Sequence, residues 1–181
     1  MKSLLRSAWA ILIFAASFPS FAQVVLAAPP SGACDLPQSL QAEIATKYPG
    51  ARVVTQSDLI EGDLKFYRRD HDDACPGLAK ADFFGDSKPT LAVVLLPRMK
   101  KESQLIIARE VGTEWTIRPM DTGGDPPVPV VWSQPRGEYA DIENGKIIRA
   151  VHPVFVFCGY ESWAIVYAWT GKKIDKVWIM D

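Results

Sequence analysis

The feature that most constrains the fold is a series of short apolar segments that runs from Leu78 almost to the last residue. Turn-forming residues separate these segments, and Asn144-Gly145 is the strongest of the tight-turn signals. Short strands joined by short turns pair antiparallel, because a parallel pair needs a long crossover connection. We predict about eight strands, at residues 80–83, 90–96, 105–111, 114–118, 128–132, 154–158, 162–169 and 174–180.

Two helices are predicted ahead of these strands. Pro37 opens the first helix, over residues 38–48, whose apolar side chains recur once per turn. Asp58 and Glu61 have the spacing of a capping box, which predicts a second helix from residue 59 to about residue 69. Helices followed by an antiparallel meander are typical of an α+β fold. We therefore expect two N-terminal helices packed on one meander sheet of about eight strands.

The N-terminal residues have the order of a secretory signal peptide. Lys2 and Arg6 supply positive charge, residues 8–16 form a short apolar core, and Ser20 and Ala22 place small side chains before a cleavage site. The apolar core is too short to anchor the chain in a membrane, which takes about 20 residues. We therefore expect cleaved export and a periplasmic or secreted protein.

The predicted mature chain is one weakly acidic domain. We predict a signal peptide at residues 1–22, a linker at 23–35 and a single α+β domain at 36–181, with cleavage after Ala27 as the alternative. Cleavage removes two of the 20 basic residues and leaves 18 against 21 acidic ones, a net charge of −3. This balance gives no basic excess that would favour nucleic acid as a partner. No later segment is long and apolar enough to serve as a transmembrane anchor after processing.

Three cysteines lie in the predicted mature chain. In an oxidising compartment an odd number predicts one disulfide bond and one remaining thiol. Cys34 precedes the first predicted helix and Cys75 follows the second, so we favour a Cys34–Cys75 bond, with Cys75–Cys158 as the alternative. A third interpretation makes Cys34 a lipidated first residue, but no leucine stands three residues before it.

The predicted strand at residues 162–169 has two distinct faces. Large side chains alternate onto one face and small ones onto the other, and the aromatic ones are Trp163, Tyr167 and Trp169. Because small side chains allow close approach, we expect a helix to pack on their face. The aromatic face is either part of the core or, together with Trp132, an exposed platform for a ligand or partner.

The segment Ala81-Asp82-Phe83-Phe84-Gly85-Asp86 resembles a calcium-binding hairpin of the FG-GAP or VCBS type. In that motif Asp-Phe-Asn-Gly-Asp-Gly-x-x-Asp wraps a calcium ion, which takes roughly six to eight oxygen ligands. Asp82 and Asp86 match the motif, whereas Phe84 and Thr90 replace two of its ligands. The resemblance implies a hairpin that keeps the turn without the ion. We predict no cofactor, with calcium at Asp82 and Asp86 as the exception.

Several longer strings of the sequence carry a wider resemblance, at residues 65–71, 75–77, 82–86, 127–132, 156–163 and 167–171. They resemble a family of small exported bacterial proteins that have one such degenerate hairpin and no assigned activity. The resemblance implies no catalytic residues.

Because no catalytic motif is found, we expect a non-enzymatic binding module, inhibitor- or immunity-like, in the cell envelope. Its partner would be an envelope or extracellular protein or ligand, and the Gly/Pro-rich loop at residues 121–127 is a second candidate contact. The candidate binding residues are Trp132, Trp163, Tyr167, Trp169 and Glu161. One alternative is a small envelope hydrolase with an acidic site at Asp82, Asp86 and Glu161. The other is a calcium-stabilised structural domain.

Overall fold

The computed structural model describes residues 32–98, 102–124 and 127–179. The predicted signal peptide and all of the predicted linker before residue 32 lie outside these ranges. The described residues form two α-helices and eleven β-strands. In chain order they are α1 (Gln38–Lys47), β1 (Arg52–Val53), α2 (Glu61–His71), β2 (Leu78–Ala81), β3 (Thr90–Leu96), β4 (Ser103–Val111), β5 (Glu114–Gly123), β6 (Val130–Gln134), β7 (Gly137–Ala140), β8 (Ile147–Ala150), β9 (Val154–Gly159), β10 (Trp163–Trp169) and β11 (Ile174–Ile179).

The strands form three antiparallel sheets. The first has the order β1-β3-β4-β5, and β2 also pairs with β3. The second has the order β11-β10-β9-β6, and the third is the hairpin of β7 and β8. The first two sheets pack face to face, since Ala92 and Val94 of β3 share one core cluster with Phe155 and Phe157 of β9.

The predicted fold, two N-terminal helices on one meander sheet of about eight strands, is wrong. The part of the chain that the structure describes is mostly β-structure, divides its strands among three sheets, and packs its helices against different sheets. The physical reason is that the central strands are buried on both faces, so their apolar runs carry no alternation that would reveal their neighbours. In the sequence, only ordinary turns separate the strands of one sheet from those of the next.

Helix α1 covers the outer face of the first sheet. Leu40 and Ile44 of α1 are buried in one cluster with Val93 and Leu95 of β3 and Ile106 of β4. Ala92 and Val94 of β3, which alternate with Val93 and Leu95, point to the other sheet. Burial on both faces explains why β3 is an almost continuous apolar run.

Helix α2 packs against the second sheet. Strand pairing puts Trp132 of β6, Val156 of β9 and Val166 of β10 on one face of that sheet. The His71 ring of α2 lies there, 4.9 Å from the Trp132 ring and 4.8 Å from the Tyr67 ring, measured between centroids. This is the face with the small side chains of β10, where a helix is expected from the sequence.

The predicted capping box of Asp58 and Glu61 does not form; the observed capping box pairs Thr55 with Asp58 and belongs to a shorter element before the second helix. A single 3₁₀ turn occupies Gln56–Asp58, and α2 begins only at Glu61. The Thr55 backbone N–H donates to the Asp58 carboxylate at 2.8 Å, and the Arg52 guanidinium forms an ion pair with the same carboxylate. Asp58 therefore links β1 to the 3₁₀ turn that precedes α2.

The Arg52–Asp58 pair makes the fold sensitive to acid. The hydrogen bond from Arg52 lowers the pKa of Asp58 from 3.8 to about 2. Because the folded pKa lies below the unfolded one, this stabilisation is present above about pH 4 and is lost as the pH falls through about 2. We expect a loss of about 1 kcal/mol, a figure reduced because the pair faces solvent.

Denaturant unfolding of the wild type and of Asp58→Asn at pH 5 and pH 2.5 measures this contribution. The variant is expected to lose less stability between the two pH values, by about 1 kcal/mol. An identical loss in the two proteins would contradict the assignment.

Cys34 and Cys75 form a disulfide bond across 41 residues, the pairing that the sequence favours. The bond joins the segment before α1 to the connection between α2 and β2. The third cysteine, Cys158, lies buried in β9. Within the described ranges no helix is long and apolar enough to cross a membrane.

Candidate functional site

An open groove of about 370 Å³ lies between α2 and the second sheet. Its walls are mostly aromatic and its polar groups are mostly charged. We call it the aromatic groove; it is lined by Phe66, Arg69, Asp70 and His71 of α2, Trp132 of β6, and Tyr160 and Glu161 of the turn between β9 and β10. A volume of this size suits a single large side chain or a small ligand.

The helical period explains which α2 side chains reach the groove. Phe66, Arg69 and Asp70 are three and four residues apart and share one side of the helix, whereas Tyr67 is almost fully buried in the core. The Arg69 guanidinium lies over the Phe66 ring at 5.2 Å from its centroid and pairs with Asp70 at 2.6 Å. Tyr160, on the opposite wall, stacks with Phe66 at a centroid distance of 6.3 Å.

The opposite wall is a tight turn in an uncommon conformation. The Ser162 backbone N–H donates to the Gly159 carbonyl at 3.0 Å, and Glu161 has φ of 57° in the left-handed region. Only glycine adopts this region without steric cost, so the turn holds a charged side chain at a position that favours glycine. The result is a carboxylate at the edge of the groove.

One acidic residue of α2 is largely buried. Asp63, one turn before Phe66 on α2, is only 6% exposed. Burial, and after it the charge of Glu161, raises the pKa of Asp63 above its usual range. Its carboxyl group accepts no hydrogen bond from any residue that the structure describes.

Another buried acid shows how the fold normally satisfies such a group. Asp141, 5% exposed, lies between β7 and β8. Its carboxylate accepts backbone N–H groups of Glu143 at 3.0 Å, Asn144 at 3.1 Å and Trp178 at 3.1 Å. These bonds, with that from Trp178 first, lower the pKa of Asp141, the opposite of the shift at Asp63. Asp141 thus has a structural role, whereas the protein supplies no partner for Asp63.

Of the five residues predicted to bind a partner, the groove brings together Trp132 and Glu161. Trp163 lies apart from it, at the start of β10. Its ring contacts the Phe157 ring at 4.9 Å and covers Gly159, where a Cβ would lie 2.9 Å from the indole nitrogen. Trp163 is half-buried and packs on its neighbours in the sheet.

Tyr167 and Trp169 lie where the first two sheets meet. The Tyr167 hydroxyl donates to the Asp121 carboxylate of β5, which also accepts Lys176 at 2.9 Å. Burial would raise the pKa of Asp121, but these two hydrogen bonds hold it below its usual range. Trp169 meets the Phe84 ring edge-on at 5.1 Å. These side chains join the two sheets.

The two predicted calcium ligands already have partners from the protein. Asp82 accepts the Ser87 backbone N–H at 3.2 Å, and Asp86 forms an ion pair with Arg109. The Arg109 guanidinium also lies 4.6 Å from the centroid of the Phe84 ring. Within residues 32–98, 102–124 and 127–179, no three His, Cys, Asp or Glu side chains are grouped to hold a metal ion.

The three acids of the hydrolase hypothesis lie at two ends of one strand. The His152 imidazole, just before β9, packs against Gly85 between Asp82 and Asp86. Glu161 follows the other end of β9, and six residues at about 3.3 Å each separate the two places by about 20 Å. The structure therefore does not bring these acids together.

Sequence reasoning missed five of the residues that line the groove: Phe66, Arg69, Asp70, His71 and Tyr160. Phe66 reads as an ordinary position on the apolar side of the second helix. Nothing in the sequence placed that side next to the β9–β10 turn.

Comparison of the chain with protein-family models, with curated proteins and with solved structures found no match. The functional assignment therefore rests on the geometry and chemistry of the aromatic groove.

Proposed function

We propose that this protein is an exported, non-enzymatic binding module that holds a partner protein in the aromatic groove. The observation that carries the proposal is the groove itself, in which the rings of Phe66, Trp132 and Tyr160 and the carboxylates of Asp70 and Glu161 line one open cavity. Aromatic side chains bury large areas at a low cost in conformational entropy, so they commonly anchor protein interfaces. Inhibitor- or immunity-like action, by occupying a partner's surface, is the form of binding that such a module would perform.

The frame of the groove supports this role. Its walls come from a helix, a strand and a tight turn, which hold the rings in place before a partner arrives and so reduce the entropy lost on binding. The Cys34–Cys75 bond supports export, because disulfides persist in oxidising compartments such as the periplasm or the extracellular medium.

Capture experiments with groove variants test the proposal. The full chain, tagged at its C-terminus and exported by its own host, is used to retain proteins from the envelope and the culture fluid. We expect a partner that survives a salt wash, and we expect Trp132→Ala and Glu161→Lys to reduce its recovery at least about tenfold, as for anchor residues. Glu161→Lys is exposed and keeps the fold in case Trp132→Ala does not.

Trp115→Ala is the matched control, because Trp115 is also half-buried but lies on β5, where its indole N–H donates to Ser39 of α1. The control should retain the partner as the wild type does. Equal recovery by the wild type and both groove variants would overturn the proposal.

A further inference from the structure

Strand β5 forms an outer edge of the first sheet and has backbone hydrogen-bonding groups that point away from β4. Val111 and Glu114 pair across the two-residue turn Gly112-Thr113, so the backbone groups of Glu114 bond to β4. Because bonding alternates along a strand, the N–H groups of Trp115 and Ile117 point outward. No residue in the described ranges accepts a hydrogen bond from either N–H.

Pro119 supports this orientation of β5. Proline has no N–H, so within a sheet it occurs where that position faces away from the neighbouring strand. Pro119 lies opposite Ile106 of β4 and two residues beyond Ile117, which puts its nitrogen on the same outer edge. Another strand could therefore pair along residues 114–118, and Pro119 would end the pairing.

The second sheet shows how this fold covers an edge. On β6, the Val131 N–H donates to the Pro76 carbonyl at 2.8 Å. On β11, the Trp178 carbonyl accepts the Ile142 N–H at 3.0 Å, and the Trp178 N–H donates to the Asp141 carboxylate at 3.1 Å. Strand β5 has no such cover from the residues that the structure describes, so its edge is available to another strand.

The side chains of β5 are complementary to those of a second, antiparallel copy. A twofold axis at Thr116 places Trp115 of one copy opposite Ile117 of the other, where their outward N–H and carbonyl groups can bond. The same axis places Glu114 opposite Arg118 on both sides of it. These two residues are exposed, and neither forms an ion pair within the described ranges. Opposite charges and aromatic–β-branched pairs both stabilise neighbouring strands.

Other positions of the axis lose these contacts. An axis at Ile117 would set Pro119, which has no N–H, opposite Trp115. An axis at Arg118 would set two like charges against each other, which destabilises a strand pair. Edge strands commonly avoid pairing because their charges repel a neighbour, whereas the charges of β5 attract a second copy in one register.

We infer that two copies of this chain form a dimer through β5, with the two strands antiparallel and a twofold axis at Thr116. The first sheets of the two copies then continue into each other. The edge belongs to the first sheet and the aromatic groove to the second, so this inference goes beyond the proposed function and does not depend on it.

Sedimentation velocity of the full chain, purified after export by its host, tests the inference over a series of concentrations. We expect a dimer that dissociates on dilution, with a Kd of about 0.1 mM or below, as for a small interface with main-chain hydrogen bonds. Glu114→Arg and Arg118→Glu should each raise this Kd at least about tenfold, because each reversal makes two attractive pairs repulsive. Arg136→Glu is the matched control. It reverses one exposed charge in the turn between β6 and β7 and should leave the Kd unchanged.

Recovery of the dimer identifies the register. The double variant Glu114→Arg with Arg118→Glu should dimerise as the wild type does, because each arginine again faces a glutamate. An equimolar mixture of the two single variants should form a dimer for the same reason. Both positions are exposed, so the reversals keep the fold. A wild type that stays monomeric at about 1 mM, single variants that dimerise as the wild type does, or a double variant that does not recover would each overturn the inference.

Discussion

Replacement of Gly77 by alanine is expected to destabilise the protein by about 3 kcal/mol, because the new methyl group has no space. A Cβ at Gly77 would lie 2.7 Å from the backbone nitrogen of Val54 and would also overlap the Val54 carbonyl oxygen. Neither neighbour can move freely. The Val54 N–H donates to the Val94 carbonyl at 3.0 Å, and the Val94 N–H donates to the Gly77 carbonyl at 2.9 Å. The methyl group would therefore push apart backbone segments that β3 holds together.

Gly62→Ala is the matched control for this prediction. It is the same substitution on α2, but nothing lies within 4 Å of the added methyl group. Alanine has the higher helix propensity, so the control should stabilise the fold by about 0.5–1 kcal/mol. Thermal or denaturant unfolding measures both changes. Equal effects of the two substitutions would contradict the close approach at Gly77.

Loss of the Cys34–Cys75 bond is expected to cost about 4 kcal/mol, the largest effect that we predict. The bond closes a loop of 41 residues, and the chain-entropy estimate for a loop of this length is about 4 kcal/mol. The loop contains α1, β1 and α2, so its closure limits the unfolded chain across both helices. For a domain of this size the melting temperature should fall by roughly 10 °C.

The double variant Cys34→Ala with Cys75→Ala and the reduced wild type should melt at the same lower temperature. Reducing agent should have no further effect on the double variant, which controls for an effect of the reagent itself. A melting temperature that reduction leaves unchanged would contradict the prediction. Under denaturing, non-reducing conditions, a thiol reagent should modify one cysteine in each chain, Cys158.

Local structure could be predicted from the sequence because local physical rules decide it. Pro37 marks the start of α1, which ends at Lys47, and β3 and β10 lie within one residue of their predicted limits. The Asn144-Gly145 turn joins β7 and β8, where Gly145 has φ of 69° as a tight turn requires. The strands on either side of that turn were missed, because each has only four residues.

The candidate site was predictable only in part. Trp132 and Glu161 were predicted as binding residues and lie in one groove, but they share it with Phe66 and Asp70, which belong to a helix far away in the sequence. For Trp163, the sequence favours packing against neighbouring residues and leaves an exposed platform as the alternative. Its contacts with Phe157 and Gly159 depend on which strand lies beside it, and a single strand's pattern does not contain that information.

The sequence by itself predicted the export signature, most helix and strand positions, and the favoured disulfide pairing. The first two depend on residues that are neighbours in the chain, and the third on the number of cysteines and their order relative to the helices. Only the tertiary structure decided the division into three sheets, the placement of α1 and α2 on different sheets, and the meeting of α2 with the β9–β10 turn. These depend on which buried faces pack together, and faces that are apolar on both sides fit several partners equally well until the whole chain is packed.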